Sequence, residues 1–199
     1  MSDILASLSR VTVGWLVAAV VGTVAGLALG RSPVAIDYCR GLLAFARAVP
    51  PPVLVPVFLI AFHSGPNVEV AAIAAGSVWP VLVNAADGAR SIEPVTMNTA
   101  LVYRIPWHHR VIGVIVPAAA PKLFAGLRTG LSVAFVVMTV AELVSGTSGI
   151  GYRLRSTRGD LPGMWAWLVL VGVLAYAGTG LLAVVAHQVL RRQRQVSPP

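Results

Sequence analysis

The sequence predicts an all-α polytopic membrane protein, and three observations carry that reading. The chain of 199 residues is 57% hydrophobic and only 11% charged, with a mean hydropathy of +0.81, whereas roughly a quarter of a soluble domain's residues are charged. Its apolar residues gather into about five runs near the length that a hydrocarbon core of ~30 Å demands of a helix rising about 1.5 Å per residue. One long polar interruption divides the runs and collects Asp87, Arg90, Glu93, Arg104, His108, His109, Arg110 and Lys122. Residues 1–199 then form a single transmembrane domain.

Residues 1–10 are a short, weakly amphipathic lead. Residues 11–29 hold no charge and form the first span; the run is too long, and its basic flank too thin, for a cleaved signal peptide. Gly14, Ala18, Gly22, Gly26 and Gly30 recur every fourth position, which predicts a face where another helix backbone approaches closely. Residues 31–40 read as a polar turn. Residues 41–62 are the second span, interrupted by Arg47 and by Pro50, Pro51 and Pro52. Three prolines remove three backbone donors, so the helix must break or kink. Freed carbonyls at membrane depth are tolerated against protein or a water-filled cavity, which makes Pro51 and Pro52 candidates for a translocation path.

Residues 63–69 form a tight turn around Gly65 and Pro66. Residues 70–86 are the third span, with Pro80 near its middle and Trp79 deep enough to line a path. The fourth span, 123–144, bears Arg128 near its start and Glu142 near its end. Both are costly in lipid: Arg128 is expected to snorkel to the nearer surface, while Glu142 is either a path or gate residue or a helix-end carboxylate bonded to the following turn. A second polar loop, 145–163, precedes the fifth span, 164–186, and then Arg191, Arg192 and Arg194. Trp107, Trp165 and Trp167 fall near span ends, as interfacial anchors do.

The interruption, residues 87–122, has an internal order. Pro94 opens a helix at its first turn, residues 95–103 continue it and Pro106 breaks it; residues 107–116 make a second short segment, closed by Pro117 and Pro121. Two short helices set at an angle between spans form a knob outside the bilayer, suited to a groove on another protein. With this loop and the C-terminus inside, only Arg10, Arg153, Arg155 and Arg158 of the fifteen basic residues lie outside, as the positive-inside rule requires. The three arginines of the outer loop sit awkwardly in that scheme and suggest contact with an anion or a partner.

Residues 91–135 resemble the EAA coupling loop and following span of type I ABC-transporter permeases, most similar to the nitrate/sulfonate/taurine branch. Glu93-Pro94, Val116-Pro117-Ala118-Ala119-Ala120-Pro121 and Gly126-Leu127-Arg128 fit without gaps. Pro50 to Pro52, residues 84–88, Ala141-Glu142 and Ser148-Gly149-Ile150-Gly151-Tyr152 extend the likeness over about residues 8–192. The chain departs where the family pattern has Glu-Ala-Ala and then Gly: here stand Asn98-Thr99-Ala100 and Arg104. The branch usually carries one more span at the N-terminus, and this chain begins where the second would.

The resemblance implies a permease subunit in the bacterial inner membrane, C-terminus cytoplasmic, forming a path with a second copy of itself for a small nitrate-, sulfonate- or taurine-like anion. It implies docking of a cytoplasmic ABC ATPase on residues 91–121 through Glu93, Asn98, Thr99, Ala100, Arg104, Trp107 and His108. It also implies delivery by an extracytoplasmic solute-binding protein. Pro51, Pro52, Trp79 and Glu142 are the candidates for the path. The altered positions Asn98 and Arg104 favour the alternative, a permease-like membrane scaffold that has lost ATPase coupling.

Other chemistries find little footing. No Gly-rich run precedes Lys122 and no Ser or Thr follows it, so this chain lacks a phosphate-binding loop, and ATP and Mg²⁺ belong on the partner ATPase. His108 and His109 are adjacent and point about 100° apart on a helix, a poor chelating pair. Cys39 stands alone, which excludes an internal disulfide and a multi-cysteine metal site. No catalytic triad can be assembled at one depth. The formal charge of +8 is scattered between apolar runs rather than laid on one face, so it suits anionic lipid headgroups and an acidic partner rather than nucleic acid.

Overall fold

The computed structural model describes residues 1–63 and 65–196, with side chains through Arg191. The elements are α1 (Ser2–Gly30), α2 (Pro33–Ala48), a 3-10 turn (Pro51–Leu54), α3 (Val55–Phe62), α4 (Pro66–Arg90), α5 (Pro94–Val102), α6 (Trp107–Arg110), a π-helical turn (Val111–Ile115), α7 (Val116–Ser145), α8 (Ile150–Ser156) and α9 (Leu161–Val196). Among the described residues, α1, α4, the continuous rod Trp107–Ser145 and α9 are each long and apolar enough to cross a membrane. A fifth crossing results if the bent pair Pro33–Ala48 and Pro51–Phe62 is one span.

The helices outrun the apolar stretches. Nothing between Ser2 and Gly30 breaks a helix, so residues 1–10 are not a separate lead but the first turns of α1. Residues 31–40 are not a turn: Ser32 caps α2 by accepting a hydrogen bond from the Ala35 N–H at 3.2 Å, and Pro33 supplies the preset first-turn φ. The prolines at 50–52 do break the segment, and its halves meet at 86°.

Pro117 and Pro121, by contrast, close nothing. The wider π-helical turn at Val111–Ile115 precedes Pro117, which then enters α7 in its first turn, and Pro121 is carried inside the helix. The second segment of the knob is therefore the root of α7, and Trp107–Ser145 runs 39 residues unbroken. The polar loop at 145–163 likewise contains a helix, α8.

α4 is the centre of the bundle, parallel to α1 on one side and antiparallel to α7 on the other. Gly14, Ala18, Gly22, Gly26 and Gly30 are all buried on α1 and face α4. A Cβ at Gly26 would overlap the Leu82 carbonyl oxygen and one at Gly30 the Ala86 carbonyl, so the absence of side chains sets the helix separation. Val11, Ala72, Ile73, Ala134, Phe135 and Met138 fill the core between α1, α4 and α7. The opposite faces of α1 and α9 expose Val20, Val24, Val173 and Tyr176, as lipid-facing surfaces do.

Candidate functional site

Three sites stand out along the bundle: the knob, a cavity at the proline bend, and a buried ionic cluster at the far end. In the knob, Glu93 precedes Pro94, the first residue of α5, and Tyr103 ends it. The turn is a Schellman motif: the Ile105 N–H donates to the Ala100 carbonyl at 3.0 Å and the Arg104 N–H to the Leu101 carbonyl at 2.9 Å. The residue at its left-handed position is Arg104, with φ of 51°. Ala100 is buried beneath this turn, while Asn98, Thr99, Arg104, Trp107 and His108 are exposed. Val95, Val102, Tyr103 and Trp107 are each at least 70% exposed, and Val95, Asn98, Thr99, Val102 and Tyr103 line a shallow hollow.

The knob's base is tied down. Carbonyls at the end of a helix run short of intrahelical donors, and three side chains reach those of α4: Lys122 Nζ to Asp87 O at 3.1 Å, beside the Ser91 N–H, Arg31 to Ala89 O at 3.4 Å, and Ser91 Oγ to Gly88 O at 2.9 Å. Cations at a helix C-terminus also oppose its dipole.

At the bend, a cavity of about 350 Å³ is lined by Arg47, Pro51, Gly76, Trp79, Pro80 and Asn84 among others. Pro51 packs beside Gly76. Pro80 has no N–H, so the Gly76 carbonyl four residues earlier lacks its helical donor. The Asn84 amide donates to Pro80 O at 2.8 Å. Two of the path candidates, Pro51 and Trp79, thus share one cavity, and Pro52 stands next to it in the same 3-10 turn.

Glu142 lies elsewhere, and in this structure it faces neither a cavity nor water. It is fully buried and receives Arg10 Nη1 at 2.8 Å, Ser7 Oγ at 2.8 Å from both oxygens, and the Gly151 N–H at 3.0 Å. Arg10 also donates to the Ser148 carbonyl and hydroxyl, each at 2.8 Å, and its Nε lies 3.9 Å from Glu69 Oε2. Asp3 accepts from the Gly149 N–H at 3.0 Å and from Arg153 at 2.6 Å, and Ser7 Oγ accepts from the Ile150 N–H at 2.8 Å. The N–H groups of the cap residue Gly149 and of the first two residues of α8 are therefore satisfied by Asp3, Ser7 and Glu142, none of them on α8. Gly149, with φ of 112°, sits directly over the Glu142 carboxylate, where a side chain would collide.

Arg10, Glu69, Asp3 and Ser7 escape a reading by hydropathy, because all lie at the edge of an apolar run. For the three on α1 the signal is spacing: positions 3, 7 and 10 continue the 14-18-22 stripe on one face of the helix. The arginines of the second polar loop are also accounted for in part. Arg153 pairs with Asp3, and Arg155 donates to the Leu143, Val144 and Gly146 carbonyls that end α7, besides lying over the Tyr152 ring.

An all-helical bundle with a proline-broken span and an external, Schellman-terminated helix has the architecture of a type I ABC importer permease. It superposes on a chain of the MetNI methionine ABC transporter in an inward-facing conformation with a TM-score of 0.76, covering 96% of this chain and 94% of that one at 15% identity. Residues 18–196 match the model of the binding-protein-dependent transport system inner membrane component family, and the chain belongs to that family. Relatives include the putative aliphatic sulfonates transport permease SsuC of Bacillus subtilis, 32% identical over 76% of this chain and 55% of the relative. The bicarbonate transport permease CmpB of Synechococcus elongatus is 34% identical over 74% of this chain and 54% of its own length. The nitrate import permease NrtB of Leptolyngbya laminosa is 29% identical over 91% and 67%. The chain thus spans about half the length of several of the relatives it matches.

Proposed function

We propose that this chain is the membrane-spanning subunit of an ABC importer for a small anion, working as two copies, each docked through α5 to a separate cytoplasmic ATPase. The observation that carries the reading is the knob. α5 stands outside the bundle with an apolar surface exposed and a base anchored by Lys122, Arg31 and Ser91, so a push on it is transmitted to α4 and α7. Nucleotide-driven closure of the ATPases moves the two knobs together, and the rods joined to them rock the path between inward and outward access. ATP and Mg²⁺ act on the ATPase.

The cavity at the proline bend supports the path. Arg47 supplies a cation, Asn84 an amide and Trp79 an apolar wall, a set suited to a small oxyanion. The sulfonate, bicarbonate and nitrate permeases among the relatives support the same substrate class, delivered by an extracytoplasmic binding protein. The orientation follows from the positive-inside count, with the knob and C-terminus in the cytoplasm.

Co-purification of the tagged chain with a co-expressed candidate ABC ATPase tests the coupling step. Wild type retains the ATPase and Arg104→Glu loses it. A wild-type dimer that retains none overturns the proposal and favours the uncoupled scaffold, to which Asn98 and Arg104 point.

A further inference from the structure

Two adjoining hollows run along α7 and α9. One, of about 450 Å³, is walled by Trp15 of α1, Leu131 and Phe135 of α7 and Leu181 of α9 and is almost wholly apolar. The other, of about 280 Å³, lies nearer the knob and contains Arg128 and His187. Leu182 lines both. On α7 the residues 124, 128, 131 and 135 follow one helical face, so the two hollows form a single cleft, apolar along its length and cationic at one end. Arg128 is exposed and makes no ion pair among the described residues.

We propose that this cleft binds one anionic phospholipid of the leaflet on the knob side, its phosphate held by Arg128 and His187 and an acyl chain lying against Leu131, Phe135 and Trp15. Charge complementarity selects the ligand. A cation this near the hydrocarbon region is costly unless its head reaches a headgroup or a counter-ion, and the His187 ring adds an N–H donor at the same end of the cleft. A soluble anion has no use for the apolar length beyond Arg128. The larger hollow alone falls in the range of small-molecule pockets, ~300–1,000 Å³. The site is distinct from the cavity at the proline bend and stands or falls independently of transport.

Trp15 provides the reporter, since its Nε1 donates to Leu127 O at 3.1 Å and fixes the ring at the cleft wall. The full chain, with Trp79, Trp107, Trp165 and Trp167 changed to Phe, is reconstituted with phosphatidylglycerol or phosphatidylcholine brominated on the acyl chains. Quenching of Trp15 is expected to favour the anionic lipid by about fivefold in relative binding constant, the order that one cationic side chain supplies at an anionic surface. Arg128→Gln with His187→Gln abolishes the preference, and Arg128→Lys keeps it. Mass spectrometry of the tryptophan-complete chain released from mixed vesicles, expected to retain one phosphatidylglycerol that the double glutamine variant loses, repeats the test without the Phe changes. Equal quenching by the two lipids, no quenching by either because a second copy or other segment fills the cleft, or a preference that survives the double variant overturns the proposal.

Discussion

Arg104 holds a φ of 51° at a position where glycine meets no steric penalty and an L-residue costs about 1–2 kcal/mol. Arg104→Gly removes that strain but gives the unfolded turn more freedom, leaving a net gain of about 0.5–1 kcal/mol. Hydrogen exchange reads the gain directly: the Arg104 and Ile105 amides, which close the motif, are expected to exchange about two- to fivefold more slowly in the variant. Slower exchange accompanied by weaker ATPase retention assigns docking to the Arg104 side chain; unchanged exchange rejects the strain argument.

At the other end of the bundle, one arginine faces two buried carboxylates. Arg10→Ala leaves Glu142 and Glu69 without their cation and is expected to cost about 3–5 kcal/mol, the usual result of orphaning a buried charge. Glu142→Gln still offers an acceptor to Ser7 and Gly151 and is expected to cost less. Thermal unfolding of the purified variants ranks them, and a milder loss in Arg10→Ala than in Glu142→Gln contradicts the cluster's role.

Among the elements, the α1–α4 pair makes the clearest demand on sequence. A leucine at Gly26 has no room beneath the Leu82 carbonyl and Ala85, so Gly26→Leu must part the two helices. Folded yield, read as the monodisperse peak in size-exclusion chromatography, is expected to fall severalfold. Val24→Leu, on the exposed face of the same helix, leaves it unchanged. This stripe was legible because one chemical property recurs with the helical period. α5 was legible because prolines at 94 and 106 bracket it.

The fate of Pro117 and Pro121 was not, because whether a proline ends a helix depends on the preceding turn, and a π-helical turn leaves no mark in composition. The cluster around Glu142 was hidden for another reason. Ser7 and Arg10 lie more than 130 positions from Glu142 in the chain, and the packing of α1 against α7 brings them together. Trp79 and Pro51 are both path candidates in the sequence, but no spacing rule joins them into one cavity.

At the scale of the whole molecule, these contacts decide which parts can move. The ionic cluster binds the ends of α1, α4 and α7 remote from the knob to the start of α8, and the glycine stripe locks α1 to α4 along its length. These helices form one body. The 86° bend between α2 and α3 is held by fewer contacts and is the natural hinge. If the chain works as a pair driven by ATPases, the change of access must come from one copy rocking against the other, with bending confined to the proline segment. Spin labels at Leu5 and Val144, both exposed at the clustered end, with Cys39→Ser to remove the native thiol, test this by pulsed dipolar spectroscopy. Within one copy the 5–144 distance is expected to stay constant when nucleotide is added to the assembled complex, while the 144–144 distance between copies shifts by several ångströms. A change in the intra-copy distance of the same size means that the cluster opens during the cycle, and Glu142 then returns as a gate.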